Sequence, residues 1–182
     1  MTAPPSSLDT LLDTLIRDVP DYPKPGVVFK DITPLLADHA GFTTVVSAMA
    51  AVAGDLDAPV DAVVGIEARG FILAAPVALA LGVGFVPVRK AGKLPGPTYE
   101  VSYSLEYGEA TLQVHRDALV PGDRVLIVDD VLATGGTVAA TRDLVGRCGA
   151  EVAGVVVLLE LAFLSGRGPL GDLFLSALRV VD

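Results

Sequence analysis

Val125-Leu126-Ile127-Val128-Asp129-Asp130-Val131-Leu132-Ala133-Thr134-Gly135-Gly136-Thr137 joins three kinds of sequence in thirteen residues. Val125 to Val128 is a short, unbroken, β-branched-rich apolar run, as expected of a strand buried on both faces in a parallel sheet. Ala133 to Thr137 is a turn of small and hydroxyl residues. The segment from Val138 to Cys148 then places Val138, Leu144 and Val145 at roughly helical spacing, with Thr137 as the expected N-cap. The order is strand, acidic pair, small-residue loop, helix.

That order has a chemical use. A loop opening a helix offers unpaired backbone N–H groups and the positive end of the helix dipole, which suits a phosphate. Gly135 and Gly136 let the backbone approach closely, and Thr134 and Thr137 add hydroxyl donors. The loop is neither Walker A, since no Gly-Lys-Ser/Thr follows the glycines, nor G-x-G-x-x-G. Asp129 and Asp130, read as sitting where the strand ends, would repel a bare phosphate. They make sense beside a ligand that also carries hydroxyls or a metal, because carboxylates accept from a sugar diol and hold Mg²⁺ through oxygen. The bland alternative is a structural glycine turn with no ligand.

The whole string resembles the signature of the type I phosphoribosyltransferases, which bind 5-phosphoribosyl-1-pyrophosphate (PRPP). The resemblance implies that Asp129 and Asp130 hold the ribose hydroxyls. It gives the 5′-phosphate to Ala133, Thr134, Gly135, Gly136 and Thr137. It also implies Mg²⁺ as cofactor, carried on PRPP near Asp129 and Asp130, with no direct protein ligand assigned.

Composition bounds the rest. The chain has 182 residues, the size of one domain with a real core. Hydrophobic residues make up 52% and charged ones only 19%, which excludes a disordered chain. The net charge of −9 argues against a general nucleic-acid binder, so positive charge for a polyanion must be local, and Arg69, Arg89, Lys90 and Lys93 cluster in sequence. The single cysteine, Cys148, rules out an intrachain disulfide and reads as a packing residue. The opening residues have neither a basic nor an apolar signal-peptide region, so a cytoplasmic protein is expected. Gly70 to Val88 is uncharged and nearly long enough to span a bilayer. Pro76, Gly82, Gly84 and Pro87 interrupt it, and a helix from about Phe71 to Leu81, a turn and a strand Gly84–Val88 explain it better than a membrane span.

Other segments extend the resemblance. Leu8, Leu11, Leu12, Leu15, Ile16 and Val19 predict one amphipathic helix, with Ser7 a candidate cap. Val27-Val28-Phe29 reads as an edge strand or a core plug, with Phe29 expected in the core. The run from Pro25 to Pro34 resembles the P-G-V-x-F-[RK]-D-I-[ST]-P hood of the adenine branch of the family. That implies adenine contacts from Val28, Phe29 and Lys30. The family commonly has Arg where this chain has Lys30, so the backbone contact is what carries over there. Gly41 to Ala53 reads as a helix, with His39 a solvated residue near its start.

Asp61-Ala-Val-Val-Gly-Ile-Glu-Ala-Arg-Gly-Phe is a second strand-to-helix junction, with Ala62 to Ile66 as strand and Phe71 opening the helix. Arg69 there can bind phosphate oxygens bidentately. The string resembles the family's pyrophosphate loop, E-x-R-G-F, which implies pyrophosphate binding by Glu67, Ala68 and Arg69. It also implies a non-proline cis peptide near Glu67–Ala68. Arg89-Lys-Ala-Gly-Lys-Leu-Pro-Gly resembles R-K-x-G-K-L-P-G of the adenine branch, implying that Arg89, Lys90 and Lys93 hold pyrophosphate. Glu100 to His115 alternates apolar and polar residues across a turn at Gly108, predicting a hairpin, and such an insertion is commonly a movable flap. Its S-L-E-Y-G string implies Glu106 as the catalytic proton-transfer residue, with Tyr107 beside it on the flap. Val152 to Leu159 and Leu173 to Val181 read as further strands. Glu160-Leu-Ala-Phe resembles the stretch that closes the base pocket, with Leu161 as the adenine contact and Glu160 structural.

The expected fold is α/β: a central, mostly parallel, Rossmann-like sheet flanked by helices, with an N-terminal hood and a β-hairpin flap. The expected organisation is one phosphoribosyltransferase domain over residues 1–182, with residues 1–35 as helix and hood and 90–115 as flap. The resemblance implies purine salvage: adenine plus PRPP giving AMP and pyrophosphate, by a homodimer that needs no nucleic acid and no membrane. A regulatory module that keeps this fold as a PRPP sensor would need a DNA- or RNA-binding element, and the sequence displays none. Physics alone does not separate adenine from hypoxanthine.

Overall fold

The structure is a computed structural model that describes residues 7–104 and 108–182. Two compact units divide between Ala48 and Met49.

In the first unit, α1 (Ser7–Leu15) is shorter than its periodicity predicts. The chain leaves the helix at Leu15, and Val19 belongs instead to β1 (Arg17–Pro20). The apolar spacing of Val19 is helical by coincidence, because Pro20 ends the run and favours an extended predecessor. β1 pairs antiparallel with β2 (Val28–Asp31), matching Asp18 with Lys30 and Val19 with Phe29. The turn between them is tied by Asp21, whose Oδ1 accepts the Gly26 N–H at 2.8 Å. α2 (Thr33–Ala37) follows with Pro34 in its first turn, where the missing N–H costs nothing. α3 (His39–Val52) runs on across the division. A Cβ on Gly41 would meet Leu15 Cδ1 at 2.5 Å and Leu35 Cδ1 at 3.2 Å, so α3 packs closely on α1 and α2.

The second unit is a seven-stranded sheet in the order β5-β6-β4-β3-β7-β8-β9. Its strands are β3 (Ala62–Ile66), β4 (Gly84–Lys90), β5 (Thr98–Ser104), β6 (Glu109–His115), β7 (Arg124–Leu132), β8 (Glu151–Leu161) and β9 (Leu175–Val181). β4-β3-β7-β8-β9 are mutually parallel, and the β5–β6 hairpin joins antiparallel beside β4. All five residues of β3 are buried, as the continuous apolar run demands. α4 (Arg69–Leu81) connects β3 to β4, and α5 (Gly136–Arg147) connects β7 to β8. Parallel crossovers are right-handed, so connections leaving the β3–β7 pair in opposite directions lie on opposite faces of the sheet.

Residue alternation agrees. Val64, Ile66, Val125 and Ile127 pack in one cluster with Val138, Leu144 and Val145 of α5. On the other face, a Cβ on Gly65 would meet Ala74 of α4 at 2.7 Å and Phe85 at 2.6 Å. Phe71 and Phe85 meet there edge to face, centroids 5.7 Å apart. The sequence interrupted by Pro76 is the thirteen-residue α4, and among the described residues no helix is long and apolar enough to cross a membrane.

Candidate active site

Because the five central strands run parallel, their carboxyl ends open on one edge of the sheet. The connections reverse direction between β3 and β7, and in open α/β sheets a crevice forms outside the strand ends at such a point. The motif residues of the second unit gather there: Glu67 to Arg69 after β3, Arg89 and Lys90 at the end of β4, Asp129 to Thr137 at and after the end of β7, and Leu161 at the end of β8.

The acidic pair sits inside β7 rather than beyond it, since pairing with β8 continues to Leu132. Both side chains are buried, at 8% and 6% exposure. Asp129 Oδ1 accepts the Asp130 N–H at 2.9 Å. Burial, and next the neighbouring charge of Asp130, push the Asp129 carboxyl well above the usual carboxylate range. Asp130 Oδ2 stands 2.8 Å from Arg69 Nη2, but no N–H is aimed at it, so this is a charge contact and the buried oxygen keeps its accepting capacity. Gly70 makes the approach of α4 possible: a Cβ there would lie 2.6 Å from Asp129 Oδ1 and 3.2 Å from the Val128 carbonyl oxygen.

The loop after β7 turns at Gly135, φ +81°, which is the N-cap of α5. Thr137, expected as the cap, lies one residue inside the helix. No side chain caps this end, which leaves the first-turn N–H groups directed outward. Val131 to Gly135, Thr137 and Val138 line a small cavity of about 50 Å³. The Thr137 hydroxyl meets Tyr103 Oη of the hairpin at 3.1 Å.

The Glu67–Ala68 peptide is cis, as expected. Glu67 gathers the cations of the rim. Its carboxylate accepts from Lys93 Nζ at 2.8 Å, Lys90 N–H at 3.1 Å and Arg89 Nε at 3.2 Å. Burial acts to raise its pKa, but the three donors outweigh it and hold the carboxyl below the usual range. Arg89 Nη1 also donates to the Lys93 carbonyl at 3.1 Å, while the Lys90 side chain points to solvent from an exposed position. Arg69, Arg89, Lys90 and Lys93 thus form one basic rim in an acidic protein.

The hairpin is continuous with the sheet, Arg89 pairing with Gln113 and Lys90 with Leu112. Glu106 and Tyr107, the expected catalytic and flap residues, lie outside the described residues. Leu161 is half-buried, and Glu160 beside it is held by Arg167, Nε to Oε1 at 2.8 Å and Nη2 to Oε2 at 2.7 Å.

Within the first unit, Val28 is 50% exposed and Phe29 half-buried, so neither is core. Phe29 packs edge to face on Tyr22, centroids 5.3 Å apart. Lys30 Nζ is taken up by Asp18 Oδ1 at 2.7 Å across the β1–β2 pair.

Among the described residues no group of three or more His, Cys, Asp or Glu converges as a metal cage. Mg²⁺ seldom needs one, since it commonly takes one or two carboxylates with phosphate and water oxygens. The buried, incompletely satisfied Asp130 oxygen beside Asp129 fits that donor set.

A site with this layout is that of a sugar-phosphate transferase, and the comparisons agree. The phosphoribosyl transferase domain family model matches residues 32–169. The chain belongs to the phosphoribosyltransferase family. Within it, the chain is 68% identical over 169 residues to an adenine phosphoribosyltransferase of Nocardioides sp., covering 92% of this chain and 91% of the relative. It is 58% identical to that of Thermobifida fusca, covering 97% and 99%. Its fold is similar to the crystal structure of adenine phosphoribosyltransferase from Thermoanaerobacter pseudethanolicus, with TM-score 0.92 and 44% identity over 96% of this chain and all of the other. It also resembles the Saccharomyces cerevisiae enzyme complexed with an imino-altritol bisphosphate and adenine, with TM-score 0.91 and 37% identity over 94% and 98%.

Proposed function

We propose that this chain transfers the 5-phosphoribosyl group from PRPP to adenine, giving AMP and pyrophosphate, as a purine salvage enzyme. The observation that carries the reading is the buried Asp129–Asp130 pair directly preceding an uncapped helix start, with a basic rim on the neighbouring strand ends.

The residues divide the work. The N–H groups and hydroxyls of Ala133 to Thr137 receive the 5′-phosphate at the start of α5. Asp129 and Asp130 accept the ribose hydroxyls and stabilise positive charge developing at the anomeric carbon. Ala68 and Arg69, with Arg89, Lys90 and Lys93 set by Glu67, receive the departing pyrophosphate. Asp129 and Asp130 would face Mg²⁺ carried on the substrate, and the ion, when bound, would neutralise charge on the leaving group. Val28, Phe29, the Lys30 backbone and Leu161 hold adenine, bringing its nitrogen in line with the sugar. Glu106 moves the purine proton, and the flap over residues 90–115, with Tyr107, excludes water that would hydrolyse the activated sugar.

The working form in this reading is a single-domain subunit of a cytoplasmic homodimer. Exposed Ile72 and Leu79, two turns apart on α4, support an association surface, and the lone buried thiol of Cys148 suits a reducing compartment. The test is a base panel of adenine, guanine, hypoxanthine, xanthine and orotate with PRPP and Mg²⁺. Adenine alone should be turned over efficiently. Preference for another base, or release of pyrophosphate without a nucleotide product, would overturn the assignment.

A further inference from the structure

Gly166 belongs to no motif singled out in the sequence, yet it is buried and its backbone is wedged against the loop after β7. A Cβ on Gly166 would stand 2.2 Å from the Ala133 carbonyl oxygen and 3.0 Å from Leu132 Cγ. Reciprocally, a Cβ on Gly135 would stand 2.1 Å from the Gly166 carbonyl oxygen. Real Cβ atoms essentially never come within 3.0 Å of such a neighbour, and the obstruction on both sides is backbone, which no rotamer change relieves. Gly135 needs glycine for its left-handed φ as well; Gly166 is not among the left-handed glycines, so only space requires it.

The segment carrying Gly166 is anchored from three directions. Arg167 forks onto Glu160 with two hydrogen bonds, and its Nη1 donates to the Leu175 carbonyl at 3.2 Å. Glu160 is the register partner of Leu132 on the adjacent strand, so the fork closes beside the residue that opens the loop. Further along, Arg142 of α5 donates to the Leu170 carbonyl at 3.3 Å. The Glu160 side chain is 7% exposed, which protects the ion pair from solvent screening on the acid's side.

We propose that Gly166, set in place by the Glu160–Arg167 pair, is a positioning residue that forms the back wall of the 5′-phosphate loop and fixes its curvature. The proposal rests on the phosphoribosyl-transfer reading. It makes the segment after β8 part of the phosphate-binding apparatus, although it contributes no ligand-facing side chain.

The experiment compares Gly166→Ala with wild type by calorimetric titration with ribose 5-phosphate and, separately, with magnesium pyrophosphate, and by KM for PRPP and for adenine. Displacing the loop should weaken ribose 5-phosphate about tenfold or more, a penalty within the range for an overpacked methyl. Pyrophosphate affinity and KM for adenine should stay near wild type. Unchanged ribose 5-phosphate affinity, or equal loss of both ligands, would overturn the proposal. Should Gly166→Ala fail to fold, Arg167→Ala decides on the same two ligands, with partial recovery expected in Arg167→Lys. The wild-type control keeps the premise separate: a wild-type chain that makes no AMP from adenine and PRPP sinks the reading of function, whatever Gly166 does.

Discussion

Nη2 of Arg69 stands 2.8 Å from Oδ2 of Asp130, joining the first residue of α4 to the buried acid of β7. The acid's side chain is 8% exposed and the arginine's 38%, so a cation that reaches solvent faces an acid that does not. The residue assigned to pyrophosphate and a residue assigned to ribose are therefore electrostatically tied to each other.

Arg69→Ala should cost twice. It leaves the buried charge of Asp130 uncompensated, lowering stability by roughly 1–2 kcal/mol after allowance for the exposed arginine. It should also raise KM for PRPP about tenfold or more, the worth of a lost charge-assisted contact. Urea melts and steady-state kinetics separate the two effects; an unchanged KM would remove Arg69 from the pyrophosphate site.

Asp129 predicts opposite signs for stability and activity. Its carboxyl is raised by burial, so the folded chain keeps a proton that the unfolded chain releases near the ordinary value of 3.8. Stability therefore falls as pH climbs from that value through the raised folded value. Asp129→Asn escapes the loss and keeps an oxygen for the Asp130 N–H, so it should melt above wild type at pH 7 and show a flatter Tm profile. Asp129→Asn combined with Asp130→Asn should abolish turnover with the fold intact by circular dichroism. Wild-type rates in that double variant would end the assignment of the ribose site.

Glu67→Gln removes the charge that gathers Lys93, Lys90 and Arg89. Because hydrogen bonds to charged groups contribute about 1.5–3 kcal/mol each at most, and these cations are partly solvated, a loss of about 1–2 kcal/mol is expected. KM for PRPP should rise while KM for adenine holds; a rise in both would point to general loosening of the sheet edge.

The Glu160–Arg167 fork contributes to the acid limb of stability, beside the depressed carboxyl of Glu67. Hydrogen bonding by Arg167 holds the Glu160 carboxyl below its ordinary value of 4.5. A depressed carboxyl contributes stability above the unfolded value and loses it as pH falls through the folded one. Wild type should lose Tm steeply below about pH 4.5, and Glu160→Gln should be less stable at pH 7 but flatter on acidification. Parallel profiles for the two proteins would dismiss the pair as a contributor.

Gly70→Ala tests the closeness of the two junctions. Its Cβ would fall 2.6 Å from Asp129 Oδ1, forcing the acid or the start of α4 aside. Overpacking of this kind costs about 1–3 kcal/mol, and kcat should drop by more than tenfold because the ribose-binding oxygen moves. Retained kcat would show that the acid tolerates displacement.

Much of this architecture was legible because both junctions carry their own punctuation. The β-branched run from Val125 to Val128 and the run from Ala62 to Ile66 can only be doubly buried strands, and the glycines after each mark where a helix begins. The cis peptide at Glu67–Ala68 was legible only through the family motif. Local periodicity misled at Val19, whose helical spacing was overridden by Pro20 and by pairing with Phe29. It misled again at Thr137, where a hydroxyl promised a cap but the left-handed Gly135 took the position. Tyr103 and Gly166 left no trace, because each acts through a partner distant in sequence, Thr137 and Ala133 respectively, and Arg167 left none because it meets Glu160 only across the turn that follows β8. A glycine before an arginine carries no signal until the strand beside it is in place.

At the opposite edge of the sheet, Arg124 opens β7 and joins Glu151, the first residue of β8, and Asp57. Arg124 precedes Asp130 by six residues along β7, about 20 Å at the usual rise per residue, so this cluster stands well away from the chemistry. The protein therefore offers engineers a workbench remote from its catalytic mouth. Charge networks, affinity handles or immobilisation chemistry can be fitted around Arg124 and Glu151 to tune robustness, while selectivity is evolved independently at the other rim.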